Sequence, residues 1–228
     1  MSLLVSVIIP AHNEQEYLPA TLKALRGQTY GCYEVLVVAN GCSDETARAA
    51  QGDCDRLVQL DEKGLSRARN LGGRKARGEL LVFLDADTLL ERHALGAVVR
   101  EFTRDDAMGT IKGKPNNEKL AYRVLYWTKN FFHRTGLHRG SAGVIICWKD
   151  GFKTISGFDE MLQVCEVGDF MSRMKKCGRY KYISSTTATT SMRRYEQRGV
   201  GPMAWHWLKV WVISWFSDLR HRPYETVR

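Results

Sequence analysis

The chain has 228 residues, 44% of them hydrophobic and 26% charged, which is typical of a globular protein and excludes a largely disordered one. This length favours a single α/β domain with a sizeable core. The formal net charge of +9 fits nucleic acid, an anionic lipid surface or a phosphate-bearing substrate, and the charge alone does not choose among them. The six cysteines are scattered without a C-x-x-C pair, so they favour neither a zinc site nor a disulfide scaffold.

The first part of the chain repeats a unit of strand, loop and helix. Pro10 is expected to end the first strand, and Asn13 with Glu16 forms a capping-box pattern that predicts the start of the first helix. A further helix is predicted at residues 66–76. Strands that alternate with helices indicate βαβ units and a parallel sheet. The predicted strands are residues 5–9, 34–38, 56–60 and 80–84.

No charged leader and apolar segment precede the first predicted strand. We therefore expect no signal peptide and a cytoplasmic location.

Two carboxylates follow directly after the apolar run of residues 80–84. Such a run suits a strand that is covered on both faces, and ligands of α/β sheets bind beyond the carboxyl ends of the strands. Asp85 and Asp87 are therefore expected in a site where their oxygens suit a hard divalent cation that also takes diphosphate oxygens. The alternative is a plain strand-to-helix turn, in which an Asp caps a helix that starts near Glu91.

The loops after the predicted strands converge on one edge of the sheet, because crossovers between parallel strands are right-handed. This arrangement brings together residues 10–14, 39–41 and 85–87, where a nucleotide could lie. No G-x-G-x-x-G follows the first strand, and no G-x-x-x-x-G-K-[ST] occurs in the chain. A dinucleotide-dependent dehydrogenase and a P-loop NTPase are therefore disfavoured.

Four motifs resemble, in order and spacing, the nucleotide-sugar motifs of family-2 glycosyltransferases with a GT-A fold. They are residues 7–14 (VIIPAHNE), 37–46 (VVANGCSDET), 68–72 (ARNLG) and 83–87 (FLDAD). The resemblance implies one α/β GT-A (Rossmann-like) domain over residues 1–200, with a mostly parallel central sheet flanked by helices. Residues 1–112 would form the nucleotide-sugar half and residues 113–200 the acceptor and catalytic half.

The same resemblance implies which residues contact the donor and a metal ion. Asp87 and Asp85 would hold Mg²⁺ or Mn²⁺. Asn40 stands where the family usually has an acid, so its amide would read the base edge, or the Asn40-Gly41 pair serves only as a turn. The residues implied in nucleotide-sugar binding are Pro10, Ala11, His12, Glu14, Asn40, Arg69, Asn70, Asp85, Ala86, Gly143, Arg193 and Arg194.

In the second half, inverting members of the family carry a Glu-Asp pair whose Asp deprotonates the acceptor. This chain has Val167 at the expected base position, with Glu166 and Asp169 as the carboxylates within one turn. Glu166 is the first choice for the general base and Asp169 the second. The alternative is that both acids only complement the helix dipole. The paired Arg193 and Arg194 suit a diphosphate, because guanidinium groups bind phosphate oxygens bidentately.

Residues 203–216 carry four of the six tryptophans and are flanked by cationic residues. The run is too short to span a bilayer, and it predicts a C-terminal amphipathic helix within residues 201–228. Such a helix lies in a membrane interface on the cytoplasmic face, or it docks on the core or on a second subunit of a homodimer.

The sequence thus predicts a metal-dependent, inverting glycosyltransferase that moves a sugar from a nucleotide-diphosphate donor to an acceptor hydroxyl on a glycan, a lipid or a polysaccharide precursor. A protein of the same fold that binds nucleotide sugar after losing catalysis is the main alternative, and a nucleotidyltransferase is a further one. No recognition motif supports nucleic acid as a partner.

Overall fold

The structure, a computed structural model, describes residues 2–136, 143–162, 164–203 and residue 205. Its strands form one sheet. They are β1 (Val5–Ala11), β2 (Tyr33–Asn40), β3 (Arg56–Leu60), β4 (Leu80–Leu84), β5 (Thr88–Leu90), β6 (Asp106–Pro115), β7 (Val144–Trp148) and β8 (Arg179–Thr190). The strand order across the sheet is β3-β2-β1-β4-β7-β6-β8-β5.

The helices connect and cover these strands. They are α1 (Leu18–Arg26), α2 (Thr46–Ala50), α3 (Leu65–Lys75), α4 (Ala94–Glu101), α5 (Leu120–Thr135), α6 (Lys149–Thr154), α7 (Glu166–Met174) and α8 (Arg193–Arg198).

The first half of the sheet is parallel, as predicted. β1 pairs in parallel with β2 and with β4, and β2 pairs in parallel with β3. The loops after β1, β2 and β4 therefore lie at the same edge of the sheet.

The second half of the sheet is mixed rather than parallel. β7 runs antiparallel to both β4 and β6, β8 runs parallel to β6, and β5 runs antiparallel to β8. Four of the seven strand pairings among the described residues are parallel, as predicted, and the three antiparallel pairings all involve strands of the second half. The apolar run of β7 is buried throughout and would read the same in either direction, so the sequence pattern carries no information about its orientation.

Two local expectations at the start of the chain are wrong. β1 continues through Pro10 to Ala11, because β4 pairs with β1 only as far as Ile8 and Pro10 needs to pair on one side alone. The capping box does not form. Asn13 has φ +53° and bonds to Ser43 instead, and α1 begins only at Leu18.

Alternate residues of β4 pack into two cores on opposite faces of the sheet. Leu80, Val82 and Leu84 belong to a cluster that α1 and α4 cover. Leu81 and Phe83 belong to a second cluster, which α3, α6 and α7 cover. Helices on both faces explain why the strand shows no polar alternation. The carboxyl end of this buried strand lies at the edge of the sheet.

A third, smaller cluster joins α5 to α8 and includes Tyr122, Tyr126, Tyr195 and Met203. The predicted helix at residues 203–216 lies almost entirely outside the described residues, so its place on core, membrane or partner stays a prediction. Among the helices described, none combines the length and the hydropathy that crossing a membrane requires.

Candidate functional site

The loops after β1 and β2 are bonded to each other at the sheet edge. Asn40 is buried, and its Nδ2 donates to the Ala11 carbonyl at 2.8 Å while its Oδ1 accepts from the Gly64 backbone at 3.0 Å. The Asn40 carbonyl lies 2.7 Å from His12 Nδ1. The Asn40 amide therefore joins three backbone segments, and the structure does not present it as a reader of a base edge.

Pro10 and Ala11 are buried within β1, so their side chains do not line the edge. His12 is half-buried and follows them directly. Of these three residues, only His12 presents part of its surface at the edge of the sheet.

Four hydrogen bonds hold the backbone of the turn Asp85-Ala86-Asp87. The Asp85 N–H donates to the Gly143 carbonyl at 2.9 Å, and Thr21 Oγ1 donates to the Ala86 carbonyl at 2.7 Å. The Ser191 N–H donates to the Asp87 carbonyl at 3.1 Å, and the Thr88 N–H closes the turn on the Asp85 carbonyl. The turn is followed by β5, and the helix after it begins at Ala94 with His93 as N-cap, so neither Asp caps a helix and the capping alternative is wrong.

Arg193 lies between two acids of this edge. Its Nη2 is 2.6 Å from Glu14 Oε1 and 3.1 Å from Asp87 Oδ2, and its guanidinium lies 4.2 Å from the centre of the Tyr17 ring. Glu14 Oε2 and Arg193 Nε are buried without a hydrogen-bond partner among the described residues. Arg193 therefore bridges Glu14 and Asp87, whereas Arg194 makes no ion pair with a described residue.

Asp87 carries the clearest electrostatic signature of the site. Burial, together with the charges of Asp85 and Glu14, raises its pKa to about 6, while Arg193 and Arg194 act in the opposite direction. The charges of Asp85 and Glu14 thus act on the buried Asp87, and the two arginines offset these effects only in part.

Arg69 connects this turn to α7. The side chain is only 3% exposed, and it donates from Nη1 to Glu166 Oε1 at 2.9 Å and from Nη2 to Asp85 Oδ1 at 3.3 Å. The Phe158 ring lies 5.2 Å from the guanidinium carbon. A single guanidinium therefore places the carboxylate of Glu166 next to the turn that ends β4.

Asn70 does not point into the site, contrary to the expectation that it contacts the donor. Its Nδ2 donates to the Phe158 carbonyl and to Glu160 Oε1, both at 2.8 Å. Its Oδ1 accepts from the Phe158 N–H at 2.8 Å. Both amide hydrogens and the oxygen of Asn70 are engaged, so this side chain holds the turn before α7. Arg69 packs against Phe158 of the same turn.

The two candidate bases on α7 have different surroundings. Val167 is buried in the second core, which explains how an apolar residue occupies the expected base position. Asp169 is held by Nε and Nη2 of Arg173, at 2.8 and 2.6 Å, and Arg173 also donates to the carbonyls of Ile155 and Gly157. Of the two candidate bases, Glu166 is the one that contacts a residue bonded to the Asp85 turn.

Gly143 lies against the same turn. It has φ +86°, and a Cβ at this position would lie 2.5 Å from Thr88 Oγ1, so only glycine fits here without strain. Its carbonyl holds the Asp85 N–H, which makes Gly143 part of the frame of the turn.

Two residues near the carboxylates were not found from the sequence. Tyr126 of α5 hydrogen-bonds Thr190, and the pKa of its phenol is raised mainly by burial, with smaller contributions from the charges of Asp87 and Asp85. Tyr17 lies under Arg193. The sequence pattern carries no signal for either tyrosine, because each contacts residues of this edge that are far away in the chain.

Comparison with known proteins agrees with this geometry. The sequence profile of glycosyl transferase family 2 matches residues 6–152. Glycosyltransferase AglE of Haloferax volcanii is 41% identical over 91 residues, which cover 36% of this chain and 30% of that protein. The 4,4'-diaponeurosporenoate glycosyltransferase of Staphylococcus haemolyticus is 33% identical over 130 residues, which cover 54% of this chain and 33% of that protein. The chain spans about a third of these relatives.

Solved structures show the fold. TarS of S. aureus in complex with UDP superposes with a TM-score of 0.65 at 20% identity, over 82% of this chain and 60% of that one. The mannosyltransferase PcManGT of Pyrobaculum calidifontis, in complex with GDP-Man and Mn²⁺, superposes with a TM-score of 0.66 at 20% identity, over 81% and 56%. The family profile covers more than half of the chain, and the predicted GT-A fold is confirmed. The chain belongs to glycosyltransferase family 2.

Proposed function

We propose that this protein transfers a sugar, with inversion, from a nucleotide-diphosphate donor to an acceptor hydroxyl. The observation that supports this most directly is the bridge that Arg69 makes between Asp85 and Glu166. It brings a carboxylate able to act as a base beside the acids where a donor's diphosphate would lie. A direct displacement requires both a base that deprotonates the acceptor and a separate group that stabilises the leaving diphosphate.

A divalent cation fits the acids at the sheet edge. The donor set is made of carboxylate oxygens, and the pKa of Asp87 is raised by its burial and by the charges of Asp85 and Glu14. Within the described residues, no group of three or more His, Cys, Asp or Glu forms a metal site by itself. We propose that Asp87 and Asp85 would hold Mg²⁺ or Mn²⁺ together with the donor's phosphate oxygens. The ion would supply Lewis-acid stabilisation of the leaving diphosphate.

Glu166 is the proposed general base. The acceptor oxygen forms a bond to the anomeric carbon, while the bond from that carbon to the diphosphate oxygen breaks and its electron pair leaves with the diphosphate. The proton of the acceptor hydroxyl passes to the Glu166 carboxylate. Arg69 keeps this carboxylate in place, and the buried Val167 anchors the start of α7 to the core.

The ligands of structurally similar proteins and the loops at the sheet edge support a nucleotide-diphosphate donor for this chain. The structures of TarS and PcManGT contain UDP and GDP-Man. In this chain, we propose that the edge from His12 onward receives the nucleoside. Arg194 faces the diphosphate, since Arg193 is already engaged by Glu14 and Asp87.

The acceptor would be a glycan or a lipid-linked molecule, and residues 203–216 would contact the cytoplasmic face of a membrane peripherally or a second subunit. The composition of that segment supports this part of the proposal.

A thermal-shift screen of nucleotide sugars, with and without Mn²⁺, identifies the donor, because ligand binding raises the apparent stability. With that donor, release of nucleoside diphosphate in the presence of acceptor then measures turnover. Transfer by the wild type that is lost in Asp87→Ala supports the proposal. Donor binding without any turnover would instead support the binding protein that Val167, in place of the usual base, leaves as the second candidate.

A further inference from the structure

Two cationic side chains that make no ion pair with a described carboxylate lie beside the site, close enough for their charges to interact. Lys129 is on α5, and its Nζ lies 4.9 Å from the centre of the Tyr126 ring and 5.6 Å from that of Tyr195. Arg194 is the neighbour of Tyr195 on α8, and its charge is close enough to lower the pKa of Lys129. Within the part of the chain that the structure describes, neither side chain forms an ion pair with a carboxylate.

The pair lies next to the Asp85-Ala86-Asp87 turn. Tyr126, which packs against Lys129, hydrogen-bonds Thr190. Thr190 pairs with Thr88, the residue directly after Asp87. The charge of Arg194 also acts on Asp87 itself. Lys129 and Arg194 therefore border the sheet edge that the carboxylates occupy, on the side of α5 and α8.

The surroundings of Lys129 favour an external anion. Burial, together with the charge of Arg194, lowers the pKa of Lys129 to about 8, and no carboxylate of the described residues forms an ion pair with its ammonium. Asp87, an acid of the neighbouring turn, is already paired with Arg193. Two aromatic rings lie against the ammonium, and they offer a cation–π contact but no negative charge.

We propose that Lys129 and Arg194 together form a subsite for the phosphate oxygens of a substrate. The inference rests on the proposed function for the identity of that substrate. A phosphate group would supply the negative charge that the two side chains lack. The ammonium of Lys129 would attract it as a point charge, and the planar guanidinium of Arg194 would bind two of its oxygens. The phosphate belongs either to the leaving diphosphate of the donor or to a phosphorylated lipid acceptor.

Isothermal titration of the whole chain tests the subsite with three probes: inorganic pyrophosphate, the nucleoside diphosphates UDP and GDP, and farnesyl phosphate. Lys129→Met keeps the length and the apolar stem of the side chain, and Arg194→Gln tests the second cation if the first variant does not fold. We expect binding of at least one probe to weaken by about tenfold or more, since hydrogen bonds to charged groups are among the stronger ones.

Lys119→Met is the matched control. Lys119 precedes the same helix and also lies near a tyrosine ring, with 5.7 Å between its Nζ and the centre of the Tyr122 ring, but it is exposed and ten positions before Lys129. Binding of all probes to this variant should equal binding to the wild type.

The pattern across probes identifies the source of the phosphate. Loss confined to pyrophosphate and the nucleoside diphosphates assigns the subsite to the donor, and loss confined to farnesyl phosphate, persisting in saturating UDP or GDP, assigns it to the acceptor. Unchanged binding of every probe in Lys129→Met and Arg194→Gln, or no binding to the wild type, overturns the subsite. Pyrophosphate binding that depends on Lys129 would support the subsite even if no sugar transfer were detected, so the two proposals fail separately.

Discussion

Arg69 donates to Glu166 at 2.9 Å and to Asp85 at 3.3 Å, so one buried guanidinium holds two carboxylates that belong to different halves of the chain. Glu166 opens α7, and Asp85 directly follows β4. Without a cation between them, their like charges would repel each other. The position of the proposed base relative to the donor acids therefore depends on Arg69.

Replacing Arg69 with methionine tests this dependence. We expect Arg69→Met to lower the free energy of unfolding by roughly 3–5 kcal/mol, because breaking a buried pair leaves uncompensated charge. Urea unfolding at neutral pH measures the change. Arg74→Met is the control on the same helix, since Arg74 is 58% exposed and reaches Glu160 only at 3.8 Å, and it should change stability by about 1 kcal/mol or less. Equal losses in the two variants would contradict the role given to Arg69.

The sequence was sufficient to find the acids of this edge but not their partners. Asp85 and Asp87 follow an apolar run that predicts a buried strand, whereas the resemblance to the family's catalytic helix singles out Glu166. The pairing of Arg193 with Glu14 spans 179 positions, and no local pattern encodes such a contact. Asn70 shows the same limit, because a polar residue on a helix reads alike whether it contacts a ligand or a neighbouring turn.

The two candidate bases should respond differently to neutralisation. Glu166→Gln keeps the shape of the side chain but cannot accept the proton, so kcat should fall by about 10²–10⁴-fold, with little change in the KM for the donor. Asp169→Asn should weaken the network of Arg173 and act mainly on stability, because Arg173 holds the turn before α7. Steady-state kinetics together with thermal unfolding separates the two effects. A larger loss of kcat in Asp169→Asn would reassign the base.

The raised pKa of Asp87 makes a prediction about stability and pH. In the folded protein this pKa is about 6, above the ordinary value of 3.8, so between these values the folded state binds more protons than the unfolded state. Ionised Asp87 therefore destabilises the metal-free fold above pH 6, and this destabilisation fades as the pH falls towards 4. It amounts to roughly 3 kcal/mol at most, from the gap of about 2 in pKa.

Chemical denaturation of the wild type and Asp87→Asn at several pH values isolates this contribution. Relative to the wild type, Asp87→Asn should gain stability as the pH rises from 4 to 7.5, and the gain should level off above about pH 6.5. Parallel stability curves for the two proteins would show that Asp87 titrates normally.

The fold could be predicted best where local pattern and burial agree. β2, β3 and β4 contain the predicted runs, and α3 differs from its prediction by one residue at each end. The mixed half of the sheet could not be predicted, because β5 is only three residues long and pairs with β8 about a hundred residues later. Such contacts depend on tertiary packing and leave no period in the sequence.

Gly143 offers a last test of how the frame of the turn supports the acids. Gly143→Ala should destabilise the protein by about 2–4 kcal/mol, because the new Cβ meets both a positive φ and Thr88 Oγ1. Gly136→Ala separates the two causes, since Gly136 has φ +71° but a Cβ there would meet no atom of the described residues within 4 Å. It should cost only about 1–2 kcal/mol. Because the Gly143 carbonyl holds the Asp85 N–H, Gly143→Ala should also weaken donor binding, whereas Gly136→Ala should not. Similar losses of stability in both variants would mean that the contact with Thr88 relaxes at little cost.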